Sequence, residues 1–204
     1  MKKLFLLTTV GILAASCSSS DDRDAAEITN PSASVATHDV QSFNANAKTN
    51  TFTLYNLRDN KEVDSTQINT DKWDIGFNKT TIIINGGSAR KGKGGAAIVK
   101  GAFDEVTKVA DNTEFKVDNG NTNPNLAITT GSGKGWYTYN MDTHAILPTA
   151  GNIILVKTAD GKYAKVQIKS YYQGAPTTPA MTDVSGYYTF KYALQTDGST
   201  VFSK

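Results

Sequence analysis

"KYAKVQIKSYY", residues 162 to 172, alternates Ala164, Val166 and Ile168 with Lys165, Gln167 and Lys169. Period-two alternation puts the apolar set on one face of an extended strand and the charged set on the other, which predicts a sheet strand with one face toward water. The same reading extends to "NTFTLYNL" (50 to 57), through Phe52, Leu54 and, less regularly, Leu57. It holds for "YYTFKYAL" (187 to 194) through Tyr188, Phe190, Tyr192 and Leu194. "TIII" (81 to 84) and "NIILVKT" (152 to 158) are continuous apolar runs rich in branched residues, expected as strands covered on both faces. Asp160-Gly161 falls between two of these strands and supplies the left-handed backbone a tight hairpin needs. "AFDEVTKV" (102 to 109) accommodates one or two helical turns, and no longer segment carries a helical stripe. The predicted class is all-β, mostly antiparallel, with long loops.

The first residues speak about location. Lys2 and Lys3 precede an apolar run, Leu4 to Val10, and a small-residue stretch that ends at Cys17, the single cysteine. This is the pattern of a bacterial lipoprotein signal, shorter than the ~20 apolar residues a spanning helix needs. We therefore expect a signal peptide over 1–16, a lipidated Cys17 opening a flexible tether over 17–33, and one domain over 34–204. Several acyl chains on Cys17 would hold the domain stably at a membrane. "SSSDD" after the cysteine resembles the export tag that carries Bacteroidetes lipoproteins to the outer surface, so an outer-membrane, cell-surface location is expected, with a released form also open. A lone cysteine leaves no internal disulfide and no multi-thiolate metal site. The chain carries 21 basic and 19 acidic residues, and loss of Lys2 and Lys3 balances them. Such balance offers no field for a polyanion, which argues against nucleic acid as a partner.

Six stretches occur in an order that resembles one family: "KWDIGF" (72 to 77), "INGGSARKGKGGAA" (84 to 97), "FDEVT" (103 to 107), "WYTYNMDTHAILP" (136 to 148), "LVKTADGKYAKVQIKSYY" (155 to 172) and "GYYTFKYALQTDG" (186 to 198). They are similar to the HmuY haem-binding lipoproteins of Bacteroidetes. The resemblance implies a hand-like all-β fold that holds haem, iron protoporphyrin IX, between loop tips. It also implies capture at the cell surface for uptake through a TonB-dependent outer-membrane receptor. Members of that family use histidine pairs or methionine pairs on the iron, so membership leaves the ligands open. Antiparallel chain direction puts the 141 to 150 loop and the 173 to 184 loop at one edge, bringing Met141, His144 and Met181 to the same end. A thioether or an imidazole suits an axial position, and thioethers favour the ferrous state. Met141 and Met181 are the expected axial pair, with His144 as substitute for Met141 and Tyr172 in reserve. A core-filling role for Met141 and a turn-bracing role for His144 are the plainer alternatives.

Other motifs weigh less. "GSARKGKG" (87 to 94) approaches a phosphate-binding loop but lacks the final hydroxyl, and "AAIV" after it reads as a strand rather than the required helix. Arg90, Lys91 and Lys93 are instead candidates for haem propionate or receptor contacts. Two histidines and no G-x-S-x-G give no basis for a hydrolase triad, so the chain is expected to be a binder and not an enzyme. Trp136, Tyr137, Tyr139, Tyr171, Tyr172, Tyr187 and Tyr188 are expected mainly as cross-strand packing. The competing functional class is an envelope interaction or carbohydrate-binding module that kept the fold without haem.

Overall fold

The computed structural model describes residues 34–45 and 51–203. The signal peptide, Cys17 and the tether expected over 17–33 lie outside the described residues. The described strands all belong to one compact unit, Ser32–Lys204.

Residues 162 to 172 do form a strand. It is the central strand of a five-stranded antiparallel sheet whose order is β1 (Val35–Asn44), β11 (Ser185–Gln195), β10 (Tyr163–Tyr172), β9 (Asn152–Lys157) and β6 (Gly95–Lys100). A four-stranded sheet runs β3 (Lys61–Val63), β2 (Thr53–Asn56), β4 (Ile75–Asn78) and β5 (Thr81–Ile84), and β7 (Tyr137–Asn140) pairs with β8 (Ala145–Pro148) as a separate ribbon. The class is all-β and antiparallel, with one short 3₁₀ turn at Ser65–Asn69. At Asp160-Gly161 the backbone turns as expected, with Gly161 at φ 96° and the Thr158 N–H donating to Lys162 O at 2.8 Å.

The core lies between the two larger sheets. Ala164, Val166 and Ile168 of β10 and Tyr188, Phe190 and Tyr192 of β11 meet Tyr55, Ile75, Phe77, Ile82 and Ile84 of the smaller sheet. Phe190 sits at the centre, its ring 5.6 Å from both Phe77 and Tyr55. Such aromatic pairs add about 0.5–1.5 kcal/mol each beyond the area they bury. Leu54, Trp73, Ile83 and Leu126 cover the outer face of the smaller sheet, so "TIII" is buried on both sides as its composition predicts.

The wet face expected of β10 needs correction. Lys165 is only 4% exposed, because the 103–107 segment and Phe202 fold over it. Its ammonium donates to Phe103 O at 2.6 Å and Val106 O at 2.9 Å and lies 4.3 Å from the centre of the Phe103 ring. Those carbonyls belong to the single turn that "AFDEVTKV" forms, closed by Val106 N–H to Ala102 O at 3.2 Å. A buried ammonium stays charged when carbonyl oxygens and an aromatic face replace its water, although burial still draws the Lys165 pKa downward.

Two buried carboxylates fasten the loops. Asp74 accepts from Leu57 N–H at 2.9 Å, Ala159 N–H at 2.8 Å and Arg58 Nε at 3.2 Å, tying both sheets at the end where β9 turns into β10. Asp118 accepts from Ile84 N–H at 2.8 Å and Ala127 N–H at 2.7 Å, pinning the long connection between β6 and β7. Burial raises both carboxyl pKa values, while these donors pull them back.

Candidate functional site

Antiparallel order determines what shares the opposite end. β10 begins at Tyr163, opposite Lys157, and runs to Tyr172; β11 returns from Ser185. The 173 to 184 connection therefore lies at the far end from Asp160-Gly161. The β7–β8 ribbon reaches the same end, because Ile146 N–H donates to the Tyr172 hydroxyl at 2.9 Å. At its root the Trp136 indole N–H donates to Thr80 O at 2.9 Å, and Asn152 Nδ2 donates to Gly135 O at 2.8 Å.

The ribbon ends in the four-residue turn Met141 to His144, bounded by the pair Asn140 and Ala145. Asn140 Oδ1 accepts from Asp142 N–H at 2.9 Å and Thr143 N–H at 3.0 Å, an Asx arrangement that sets the bend without using any side chain of the turn itself. His144 closes the turn in the left-handed region at φ 55°, and its Nδ1 is 2.7 Å from the Tyr139 hydroxyl. That bond occupies one ring nitrogen of an exposed side chain. The bracing role expected of His144 is thus present.

The second loop is closed at its base by Gln173 N–H to Val184 O at 2.9 Å and anchored to β1 by Gly174 N–H to Ser42 Oγ at 3.0 Å. Near its tip Asp183 accepts from Ala180 N–H at 2.7 Å and returns its own N–H to Ala180 O at 3.0 Å. Met181 stands between them. A cleft of about 250 Å³ at this end is walled by Ile146 and Pro148 from β8, Lys169 and Tyr172 from β10, and Pro176 and Pro179 from the second loop, and neither methionine lines it.

Exposure decides between packing and display. Met141 is 73% exposed and Met181 78% exposed, so neither fills a gap in the core. Among the described residues, five large apolar side chains are exposed, and four of them, Tyr139, Met141, Met181 and Val184, lie on or beside these two loops.

The four other candidates play different parts. Tyr172 is 5% exposed and its hydroxyl already accepts the Ile146 N–H, which makes it scaffold for the ribbon and not a free donor. Arg90, Lys91 and Lys93 lie at the other end, since Lys93 N–H donates to Ala159 O at 2.9 Å beside the β9–β10 turn. β10 has ten residues, and at about 3.3 Å each the two ends are roughly 30 Å apart, too far for these cations to meet a group held at the methionine end. Arg90 moreover donates to Asn121 Oδ1 at 2.6 Å and packs over the Trp73 ring at 5.8 Å. The remaining aromatics follow expectation: Trp136, Tyr171 and Tyr188 pack together, with ring centres 5.1 to 5.7 Å apart. A larger cleft, about 430 Å³, runs along β6 past Lys116 and Lys134 and holds none of the predicted donors. No three His, Cys, Asp or Glu side chains converge to hold a bare metal ion among the described residues.

The family model described as HmuY protein matches residues 48–192. The fold resembles the apo HmuY analogue of Tannerella forsythia at a TM-score of 0.53 and 16% identity, covering 80% of this chain and 96% of that one. A Bacteroides vulgatus protein described as HmuY-like and haem-binding has a TM-score of 0.46 at 18% identity, covering 80% and 93%. A Bacteroides fragilis protein described as a lipoprotein has 0.47 at 16% identity, covering 81% and 91%. No curated protein matches the chain.

Proposed function

The chain belongs to the HmuY family, and from that premise we propose that it is a non-enzymatic haem-binding protein, anchored through Cys17 at the outer membrane, that captures haem for a TonB-dependent receptor. The observation that carries this reading is the display of both internal methionines. A chain whose described core is built from branched, aromatic and alanine side chains keeps its two internal thioethers out of it, one on each of two neighbouring loops. Soft sulfur donors on separate loops suit the two axial positions of haem iron, and exposed Tyr139 and Val184 offer apolar contact to the flat macrocycle.

In this reading the ribbon and the 173 to 184 loop are the two jaws. Their backbones are fixed by Asn140, Asp183 and the Tyr172 hydroxyl, so the thioethers move on a firm base. Methionine ligation favours ferrous iron and raises its potential. His144 braces the turn through Tyr139, and its free Nε2 is the substitute donor on the ferric side.

The test is a titration of the soluble form, residues 18 to 204, with haemin in ferric and dithionite-reduced states. We expect saturable Soret changes. Met141→Ala and Met181→Ala should each weaken ferrous binding by about tenfold or more, and His144→Ala should leave it intact. A wild type with no saturable change would return the protein to the class of envelope interaction or carbohydrate-binding modules.

A further inference from the structure

The chain has three methionines, Met1, Met141 and Met181, and none occupies the described core. Among the described residues the two internal ones are the most exposed of the large apolar side chains. Methionine oxidation follows exposure, because the oxidant must reach a sulfur lone pair along an open path. Among the described residues the two tryptophans, Trp73 and Trp136, are buried and so shielded from an oxidant. We infer that Met141 and Met181 form a peroxide-sensitive modification site, whose oxidation removes the soft donor pair and makes the loop end release or refuse its ligand while the fold stays intact.

The chemistry balances with a hydroperoxide as the oxidant. With hydrogen peroxide, a sulfur lone pair attacks one peroxide oxygen, the O–O bond breaks, and the departing hydroxide takes the proton from the oxygen now bound to sulfur and leaves as water. Sulfur gives up two electrons and peroxide accepts them, so each methionine gains one oxygen atom. The sulfoxide is polar and presents a hard oxygen where a soft lone pair stood, which ill suits ferrous iron.

Why the fold would be spared follows from the hydrogen bonds. The Met141 turn is held by the Asn140 carboxamide and the Met181 turn by the Asp183 carboxylate, and neither thioether takes part. Sulfoxides are returned to thioethers by dithiol-dependent reductases, one for each epimer, so the change is reversible. The oxidation step is independent of the proposed function; the release step rests on it.

The experiment treats the apo form, residues 18 to 204, with millimolar hydrogen peroxide. Readouts are intact mass, peptide mapping, urea unfolding, and haemin titration under dithionite after the peroxide is removed. Two oxygen atoms should add, at Met141 and Met181, at rates within about threefold of an unstructured methionine peptide. The urea midpoint should not move, and ferrous haem affinity should fall by about tenfold or more, recovering after both sulfoxide reductases act with dithiothreitol. The Met141→Leu, Met181→Leu double variant should take up no oxygen and show no further response to peroxide. Oxidation only in urea, or oxidised protein that holds ferrous haem as tightly as before, overturns the inference. Untreated protein that binds no haem overturns the proposed function and with it the release step, an outcome distinct from slow oxidation in a protein that does bind.

Discussion

Beyond its root, the ribbon that carries Met141 is hydrogen-bonded to β10 by the Tyr172 hydroxyl, and Tyr172→Phe removes that group alone. The Tyr172 ring is almost fully buried and keeps its packing in the variant, so the perturbation is confined to the acceptor of the Ile146 N–H at 2.9 Å. A buried donor left unpaired costs about 1–3 kcal/mol. Ile146 is only half-buried, so water can reach its amide in part, which places the expected loss at about 1–1.5 kcal/mol. For a domain of this length that corresponds to a fall in Tm of roughly 2–5 °C. Two assays separate global from local effects: urea unfolding, and amide hydrogen exchange over residues 137 to 148. We expect faster exchange at Ile146 and its neighbours, together with weaker ferrous haem binding, because the jaw is no longer pre-set. If exchange in the ribbon and the unfolding midpoint both match wild type, the hydroxyl does not hold the jaw and the reasoning fails.

Two further outcomes test the frame. Phe190→Ala empties the centre of the aromatic cluster between Phe77, Tyr55 and Phe43, and should cost about 3–5 kcal/mol in urea unfolding; a loss below 1 kcal/mol would mean the sheets do not meet there. Burial raises the Asp118 carboxyl pKa, so in the folded state it holds its proton to a higher pH than in the unfolded chain. Its contribution to stability is greatest below the ordinary carboxylate range of about 3.9 and is lost as pH rises through the folded value. The stability of wild type relative to Asp118→Asn should therefore fall as pH rises from that range; a rising difference would contradict the burial argument.

The strands most legible in the sequence were those whose pattern is local. β5, β9, β10 and β11 follow from alternation or branched runs, and antiparallel order sets the end at which the 173 to 184 loop lies, while the ribbon with Met141 is brought there by the Ile146–Tyr172 bond. What escaped depends on distant partners. Lys165 reads as solvent-facing until the 103–107 segment and Phe202 are laid over it, which no local pattern announces. "VATHDVQSFN" alternates too weakly to mark β1, so nothing local announces that His38 stacks on Tyr192 with ring centres 4.9 Å apart. β8 ends in proline and was read within a loop, although its pairing with β7 is what makes the Met141 turn a hairpin tip. Asp74 and Asp118 are acids in ordinary-looking runs; their importance comes from backbone donors that are remote in sequence, up to 85 positions away.

Axial coordination by two thioethers has a signature that neither stability nor affinity can mimic. With the methionine methyl groups labelled with carbon-13, NMR of the reduced haem complex of residues 18 to 204 should show both the Met141 and Met181 methyl resonances displaced far upfield by the porphyrin ring current. Either signal staying at its haem-free position would show that its sulfur does not sit on the iron axis, and the two-jaw account would be wrong.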